Sequence, residues 1–329
     1  MVFVPNTNDM KKQWQDPTLK IGMAQISPVW LNRELTLQKV VSTIELAAEK
    51  KVELLVFGEG LIPGYPFWLN LCGGAQWETD LNKKLFSHYV SNAVSIEKGH
   101  LNKISQLSKK YKMAIYLGVI ERAIDRGNHS LYCSLVYLNQ NGEIKSIHRK
   151  LMPTYDERLV WGQGDGYGLR SHSLKGFTLG GLNCWENWMP LVRSSFYAQG
   201  VNVHCASWPG SIHNTQDITR FIAREGRTYV ISVSSLMNKA DFPSDTPYLK
   251  EILSKAPDSL ANGGSCMANP DGSWLIEPIV DNQGVFTAEV FLSKIFQERQ
   301  NFDPSGHYSR PDVTKLKVNR KRQSVVFNE

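Results

Sequence analysis

Phe177-Thr178-Leu179-Gly180-Gly181-Leu182-Asn183-Cys184-Trp185-Glu186-Asn187 reads as a buried strand that ends on a turn carrying a thiol. An apolar run over Phe177–Leu182 is followed by a helix around Leu191–Gln199, closed by Gly200, and then by a second strand, Val201–Ala206. Strand, helix and strand at this spacing form the unit of a parallel sheet. Downstream, a helix around Asp217–Arg227 leads to a strand over Tyr229–Ser235. Upstream the same grammar recurs. Ile21–Ile26 and Val52–Phe57 read as strands on either side of a helix with Leu37, Val40, Val41, Ile44 and Ala48 on one face. After a long polar and aromatic connection, a helix bearing Leu101, Ile104, Leu107 and Tyr111 precedes a strand over Met113–Ile120. Residues Ser130–Lys150 read as a hairpin turning at Asn141-Gly142, which tolerate positive φ. Pro270-Asp271-Gly272 and Asn282-Gln283-Gly284 separate the last β segments. The expectation is an α/β protein with mixed sheets. No Pro/Gly/Ser-rich linker divides it, so residues 18–295 form one domain and 296–329 a C-terminal extension.

Composition narrows the function. Of 329 residues, 42% are hydrophobic and 21% charged, the balance of a globular protein. The net charge of +6 is concentrated at Lys315, Lys317, Arg320, Lys321 and Arg322, a run that reads as a solvated, frayed tail. It lacks interleaved aromatics, so no nucleic-acid partner is expected. Cys72, Cys133, Cys184, Cys205 and Cys266 show no Cys-x-x-Cys spacing and no His cluster beside them, so neither a zinc site nor a disulfide framework is expected. Asn6, Asn8, Asp9, Lys11 and Lys12 stand where a signal peptide would be apolar, and no run is long enough to span a bilayer. A cytoplasmic protein without membrane partners is the expectation, in a compartment that keeps a thiol reduced.

Three strand ends carry chemistry. Glu59 follows the second strand in Val56-Phe57-Gly58-Glu59-Gly60, at a sheet rim where α/β proteins place ligands; taken alone it reads rather as a helix cap or a solvated loop acid. Lys150 ends the hairpin and is followed by a polar, Gly-rich loop containing Glu157 and Trp161. Cys184 sits where backbone N–H groups at a strand-to-helix turn favour thiolate and can donate to an oxyanion. Cys133, Cys205 and Cys266 lie in apolar strand patterns and read as structural. Gly162–Gly168 imitates a dinucleotide loop but has Tyr167 where the last glycine belongs, so nucleotide binding is rejected. His148, His172, His204 and His213 fit no Cys–His protease signature.

In their order, these residues resemble the nitrilase superfamily, and within it the true nitrilases. Glu59, Lys150 and Cys184 match its Glu, Lys and Cys. The match extends through Pro63-Gly64-Tyr65-Pro66, His148-Arg149-Lys150-Leu151, Pro153-Thr154, Glu157-Arg158, Cys184-Trp185-Glu186-Asn187, Ala206-Ser207-Trp208-Pro209 and His307–Asp312. The resemblance implies a four-layer αββα sandwich and a cofactor-free, metal-free hydrolase converting an organic nitrile to its acid and ammonia through Cys thioimidate and thioester intermediates. It implies Glu59 as general base, Lys150 as the cation for developing charge, and Glu157 as the second glutamate that positions Lys150. Trp185, Tyr65, Trp188 and Trp208 are the expected substrate or oxyanion residues. It also implies a homodimer, through helices near Cys184, that extends to a spiral homo-oligomer involving the C-terminal tail. Cyanide hydrolysis and amidase or carbamoylase chemistry are the alternatives on this scaffold, and a non-catalytic assembly protein is the alternative from another class.

Overall fold

The computed structural model describes residues 15–325, and the segment Asn6 to Lys12 lies outside them. β1 (Thr18–Gln25), α1 (Arg33–Glu49) and β2 (Leu54–Phe57) form the first crossover, with Ile21 beside Leu54 in a parallel pair. α2 (Trp68–Leu71), α3 (Asp80–Asn92) and α4 (Asn102–Tyr111) precede β3 (Ala114–Arg122), parallel to β2. β4 (Leu131–Leu138) and β5 (Ile144–Arg149) form the expected hairpin, and Gly142 at its turn has a φ of 77°.

The second half repeats the pattern with β6 (His172–Leu174), β7 (Phe177–Asn183), α5 (Pro190–Tyr197), β8 (Val203–Trp208), α6 (Ile212–Gly226) and β9 (Tyr229–Ser234). β7, β8 and β9 are parallel neighbours. β10 (Leu236–Asn238), α7 (Leu249–Lys255), β11 (Ser259–Ala268), β12 (Trp274–Val280), β13 (Gly284–Phe291) and α8 (Leu292–Asn301) follow. β13 returns to pair antiparallel with β1, giving one sheet ordered β13-β1-β2-β3-β4-β5 and a second ordered β10-β11-β9-β8-β7-β6, with β12 on β11.

Alternation decides how the sheets stack. On β2, Leu54 and Val56 enter a cluster shared with Leu179, Val203, Ile231 and Val233 of the other sheet, while Leu55 and Phe57 face Ile44 of α1 and Ile104 of α4. On β8, Val203 and Cys205 point inward, whereas Ala206 and Trp208 meet Ile218 and Ile222 of α6. The result is helix, sheet, sheet, helix: the αββα sandwich. Gly181 shows how closely the sheets approach, since a Cβ there would sit 2.8 Å from Leu135 Cδ2 and 2.9 Å from Tyr116 Cε1.

Four expectations are corrected. The long connection after β2 contains α3, whose sparse apolar positions Leu85 and Tyr89 give only a narrow buried stripe. α6 starts at Ile212 rather than near Asp217, capped by Ser211. α8 runs unbroken through residue 296, so a boundary there cuts a helix. The basic tail is docked rather than frayed. Arg322 Nη1 donates to Asp165 Oδ1 at 3.0 Å and lies 4.4 Å from the Tyr167 ring, and Arg320 Nε donates to the Leu169 carbonyl at 2.9 Å.

Candidate active site

The two sheets meet at their strand ends, and that junction gathers the chemistry. Glu59 lies two residues beyond β2; its N–H donates to the Trp208 carbonyl at the end of β8 (3.0 Å), and Ser207 Oγ donates to the Phe57 carbonyl (3.0 Å). Lys150 follows β5 directly, its N–H bonded to the Cys133 carbonyl of β4 at 2.8 Å. Glu157 comes from a 3₁₀ turn, Tyr155–Leu159, capped by Thr154. The glycines of the following loop serve close packing, because a Cβ on Gly164 would lie 2.1 Å from the Arg149 carbonyl and one on Gly168 2.3 Å from His148 Cα.

Lys150 Nζ sits between the two carboxylates, 2.8 Å from Glu59 Oε1 and 2.7 Å from Glu157 Oε2, and all three side chains are buried. Glu157 also accepts from Tyr65 Oη at 2.9 Å and from the Thr154 N–H at 2.6 Å. Ligand atoms of Glu59, Glu157 and Cys184 lie within 4.8 Å of one another. Such a set has the donors for a metal ion, but the Lys150 ammonium already bridges its carboxylates. The Trp161 ring lies 5.6 Å from Lys150 Nζ and closes one side of the cluster.

These groups reset one another's protonation. Burial, opposed by Lys150 and assisted by Glu157, lifts Glu59 to about 7. Burial disfavours the Lys150 cation, but Cys184, Glu59 and Glu157 outweigh it and hold the ammonium well above its usual range. Burial and the Glu59 charge push the Cys184 thiol well up, so the resting side chain is protonated and would need a base to react. One opposing influence is the Trp185 backbone N–H, which hydrogen-bonds to the Cys184 sulfur.

Cys184 occupies a strained elbow. Its φ is 48°, a left-handed conformation costing about 1–3 kcal/mol for a residue with a Cβ. The surroundings enforce it. A 3₁₀ turn, Cys184–Trp188, begins with a capping box in which Glu186 accepts from the Asn183 N–H at 2.9 Å. The Glu186 carboxylate also accepts from the Leu151 N–H at 2.7 Å and lies 3.0 Å from His148 Nε2. One buried acid therefore ties the Cys184 elbow to the residue after Lys150. Asn187 Nδ2 donates to the Cys184 carbonyl at 2.8 Å, and Asn187 Oδ1 lies 2.7 Å from His204 Nε2.

Comparison with known proteins gives the family. The model of the carbon-nitrogen hydrolase family matches residues 20–300. The chain belongs to the carbon-nitrogen hydrolase family. This hydrolase is 35% identical over 312 residues to "Nitrilase 2" from an unknown prokaryotic organism, covering 94% of this chain and 95% of that protein. It is 32% identical over 323 residues to the "Aliphatic nitrilase" of Rhodococcus rhodochrous, covering 94% and 81%. In fold it is similar to Nit3 of Saccharomyces cerevisiae, a nitrilase-superfamily protein, with a TM-score of 0.68, 16% identity and coverage of 89% and 97%.

Within this hydrolase the structure brings Glu59, Lys150, Glu157 and Cys184 together and adds Tyr65 through its hydroxyl. Trp185 and Trp188 are 54% and 46% exposed, with Trp185 contributing its backbone N–H. Trp208 is buried in a cluster that holds Cys184 as well as Ile218 and Ile222 of α6; its indole donates to Ser232 Oγ at 3.3 Å, and its backbone carbonyl accepts from the Glu59 N–H. His148, His172 and His204 are structural, held by Glu186, Ser146 and Asn187. Residue-type reasoning missed Cys133, whose sulfur lies 3.4 Å from Glu59 Oε1. The pairing of Ser134 with Arg149 was the available signal, since it places Cys133 opposite Lys150. Thr154 entered only as part of the Pro153-Thr154 motif; its capping role is what the Thr-x-x-Glu pattern of a capping box reveals.

Proposed function

We propose that this hydrolase converts an organic nitrile to its carboxylic acid and ammonia, with Cys184 as nucleophile. The observation that carries the reading is a protonated thiol at a strained elbow facing a base lifted to about 7, with a lysine cation held between two buried glutamates. A nitrile carbon is a weak electrophile and demands a soft nucleophile together with a proton source for nitrogen. Glu59 takes the Cys184 proton as sulfur attacks and returns it to nitrogen, giving a thioimidate. Water adds with Glu59 again as base, ammonia leaves, and a thioester remains. A second water hydrolyses it and restores the thiol. Over the cycle one nitrile and two waters give one acid and one ammonia.

Lys150 stabilises the charge that develops on nitrogen and then on oxygen, with the Trp185 N–H as second donor. A single preorganised donor of this kind contributes roughly 10²–10³-fold in rate. Glu157, fixed by Tyr65 and Thr154, holds Lys150 in place. The half-exposed Trp185 and Trp188 border the approach to the thiol and supply apolar surface for the substrate's organic group. Leu191 and Phe221 are 70% and 52% exposed on α5 and α6, and these exposed apolar side chains support a homodimer that builds into a larger assembly with the segment after α8. A reactive thiol among five free cysteines supports a reducing, cytoplasmic setting; no helix among the described residues is long and apolar enough to cross a membrane.

The test is ammonia release by the purified protein from aliphatic and aromatic nitriles, their matching amides, and cyanide. Release from organic nitriles supports the reading; release from amides or cyanide alone replaces it with the sibling chemistry.

A further inference from the structure

The two oxygens of Glu59 have different surroundings. Oε1 receives Lys150 Nζ at 2.8 Å and Cys133 Sγ at 3.4 Å, whereas Oε2 is buried with no hydrogen-bond partner. The terminal torsion of a glutamate is broad and roughly two-fold, so the carboxylate needs fixing if one oxygen is to stay free for proton transfer. We propose that Cys133 is a positioning residue whose S–H pins Glu59 Oε1 and so leaves Oε2 to take the Cys184 proton. This rests on the reading above, in which Glu59 is the base.

Cys133 is placed for this task by its backbone as well. Its carbonyl accepts the Lys150 N–H at 2.8 Å, so one residue of β4 holds the lysine's main chain and the glutamate's side chain. Burial and the Glu59 charge keep the Cys133 thiol well above its ordinary range, so it stays protonated and acts as a donor rather than as a rival nucleophile. Lys150 faces Glu59 from the end of β5, Glu157 from the 3₁₀ turn and Cys184 from the elbow. Tyr65 and Tyr89 also lie within electrostatic reach, both with their pKa raised first by burial. Among these, Lys150 and Cys133 are the two that hydrogen-bond to the carboxylate.

The direction of the effect follows from the chemistry. A donor to the carboxylate stabilises its charged form, so losing it makes Glu59 harder to ionise. The activity limb that requires ionised Glu59 then moves to higher pH.

The experiment uses the full-length protein with Cys133→Ala and Cys133→Ser. Alkylation of Cys184 by iodoacetamide is followed against pH by peptide mass, alongside kcat and KM on a hydrolysed nitrile. For Cys133→Ala the acid limb of both profiles is expected to rise by on the order of half a pH unit, as loss of a weak donor allows. Its kcat should fall roughly three- to tenfold with KM within about twofold. Cys133→Ser restores a donor and should return the limb towards the wild-type position. An unmoved limb in Cys133→Ala, or an equal rise in both variants, overturns the proposal by showing that Cys133 only fills space. Should Cys133→Ala fail to fold, Cys133→Val carries the same comparison with the volume retained. Because alkylation needs no substrate, a protein that hydrolyses no nitrile would refute the activity while Cys133 is still judged on the alkylation limb.

Discussion

Replacing Lys150 by methionine removes the cation from between Glu59 and Glu157 while keeping most of the side chain's apolar stem. In the native protein its Nζ lies 2.8 and 2.7 Å from the two buried carboxylates. Breaking a buried ion pair by deleting one partner costs about 3–5 kcal/mol, because the remaining charges stay desolvated. At this chain length that lowers Tm by roughly 5–10 °C. The cost depends on pH. Lys150 holds the Glu59 pKa down against burial and Glu157, so its removal raises that pKa further above the value of about 7. A carboxyl whose folded pKa is raised is stabilised while protonated and loses that stability as pH rises. Lys150→Met should therefore lie close to wild type at pH 5 and furthest below it at pH 8–9. Scanning calorimetry across that range reads the gap, and ammonia release should fall by about a hundred- to a thousandfold at every pH. A Tm gap independent of pH, or an activity loss below tenfold, would refute the reasoning.

Two further perturbations follow from the surroundings of the elbow. Burial holds His204 at about 3, so below the ordinary imidazole pKa of 6.5 the unfolded chain takes up a proton that the folded chain refuses. His204→Asn removes this linkage, and its stability deficit in urea should shrink by about 1.4 kcal/mol per pH unit between pH 6.5 and 4.5; a constant deficit would show that His204 is not held neutral. Glu186→Ala strands the N–H groups of Asn183 and Leu151, and at about 1–3 kcal/mol each for buried unsatisfied donors the urea midpoint should drop sharply together with activity. Glu186→Gln keeps an acceptor and should fall between the two; a Glu186→Ala protein with wild-type activity would contradict the role given to that carboxylate.

Much of this was legible in the residue order, and what escaped did so for identifiable reasons. β2, β3, the β4–β5 hairpin, β7 and β9 announce themselves because short, nearly continuous apolar runs fit buried strands. The clustering of Glu59, Lys150 and Cys184 was readable because each follows a strand, where side chains reach the rim. α3 was hidden because its buried stripe is little more than Leu85 and Tyr89, too sparse to show a helical period. Cys133 was hidden because a cysteine in an apolar strand looks like packing until its cross-strand partner is known. The full burial of Trp208 was hidden because strand alternation sets its indole into the cluster of Cys184 and α6, which is not visible in the residue order. The basic tail misled because docking through Arg320 and Arg322 depends on acceptors at Asp165 and Leu169, more than 150 positions away for each.

The central claim is that Cys184 is the nucleophile of nitrile hydrolysis. The direct test compares ammonia release from a hydrolysed nitrile by wild type and Cys184→Ala at equal concentration, with circular dichroism confirming that both are folded. The variant should lose at least about four orders of magnitude, down to background. A folded Cys184→Ala protein that still releases ammonia from the nitrile at a comparable rate would contradict the account.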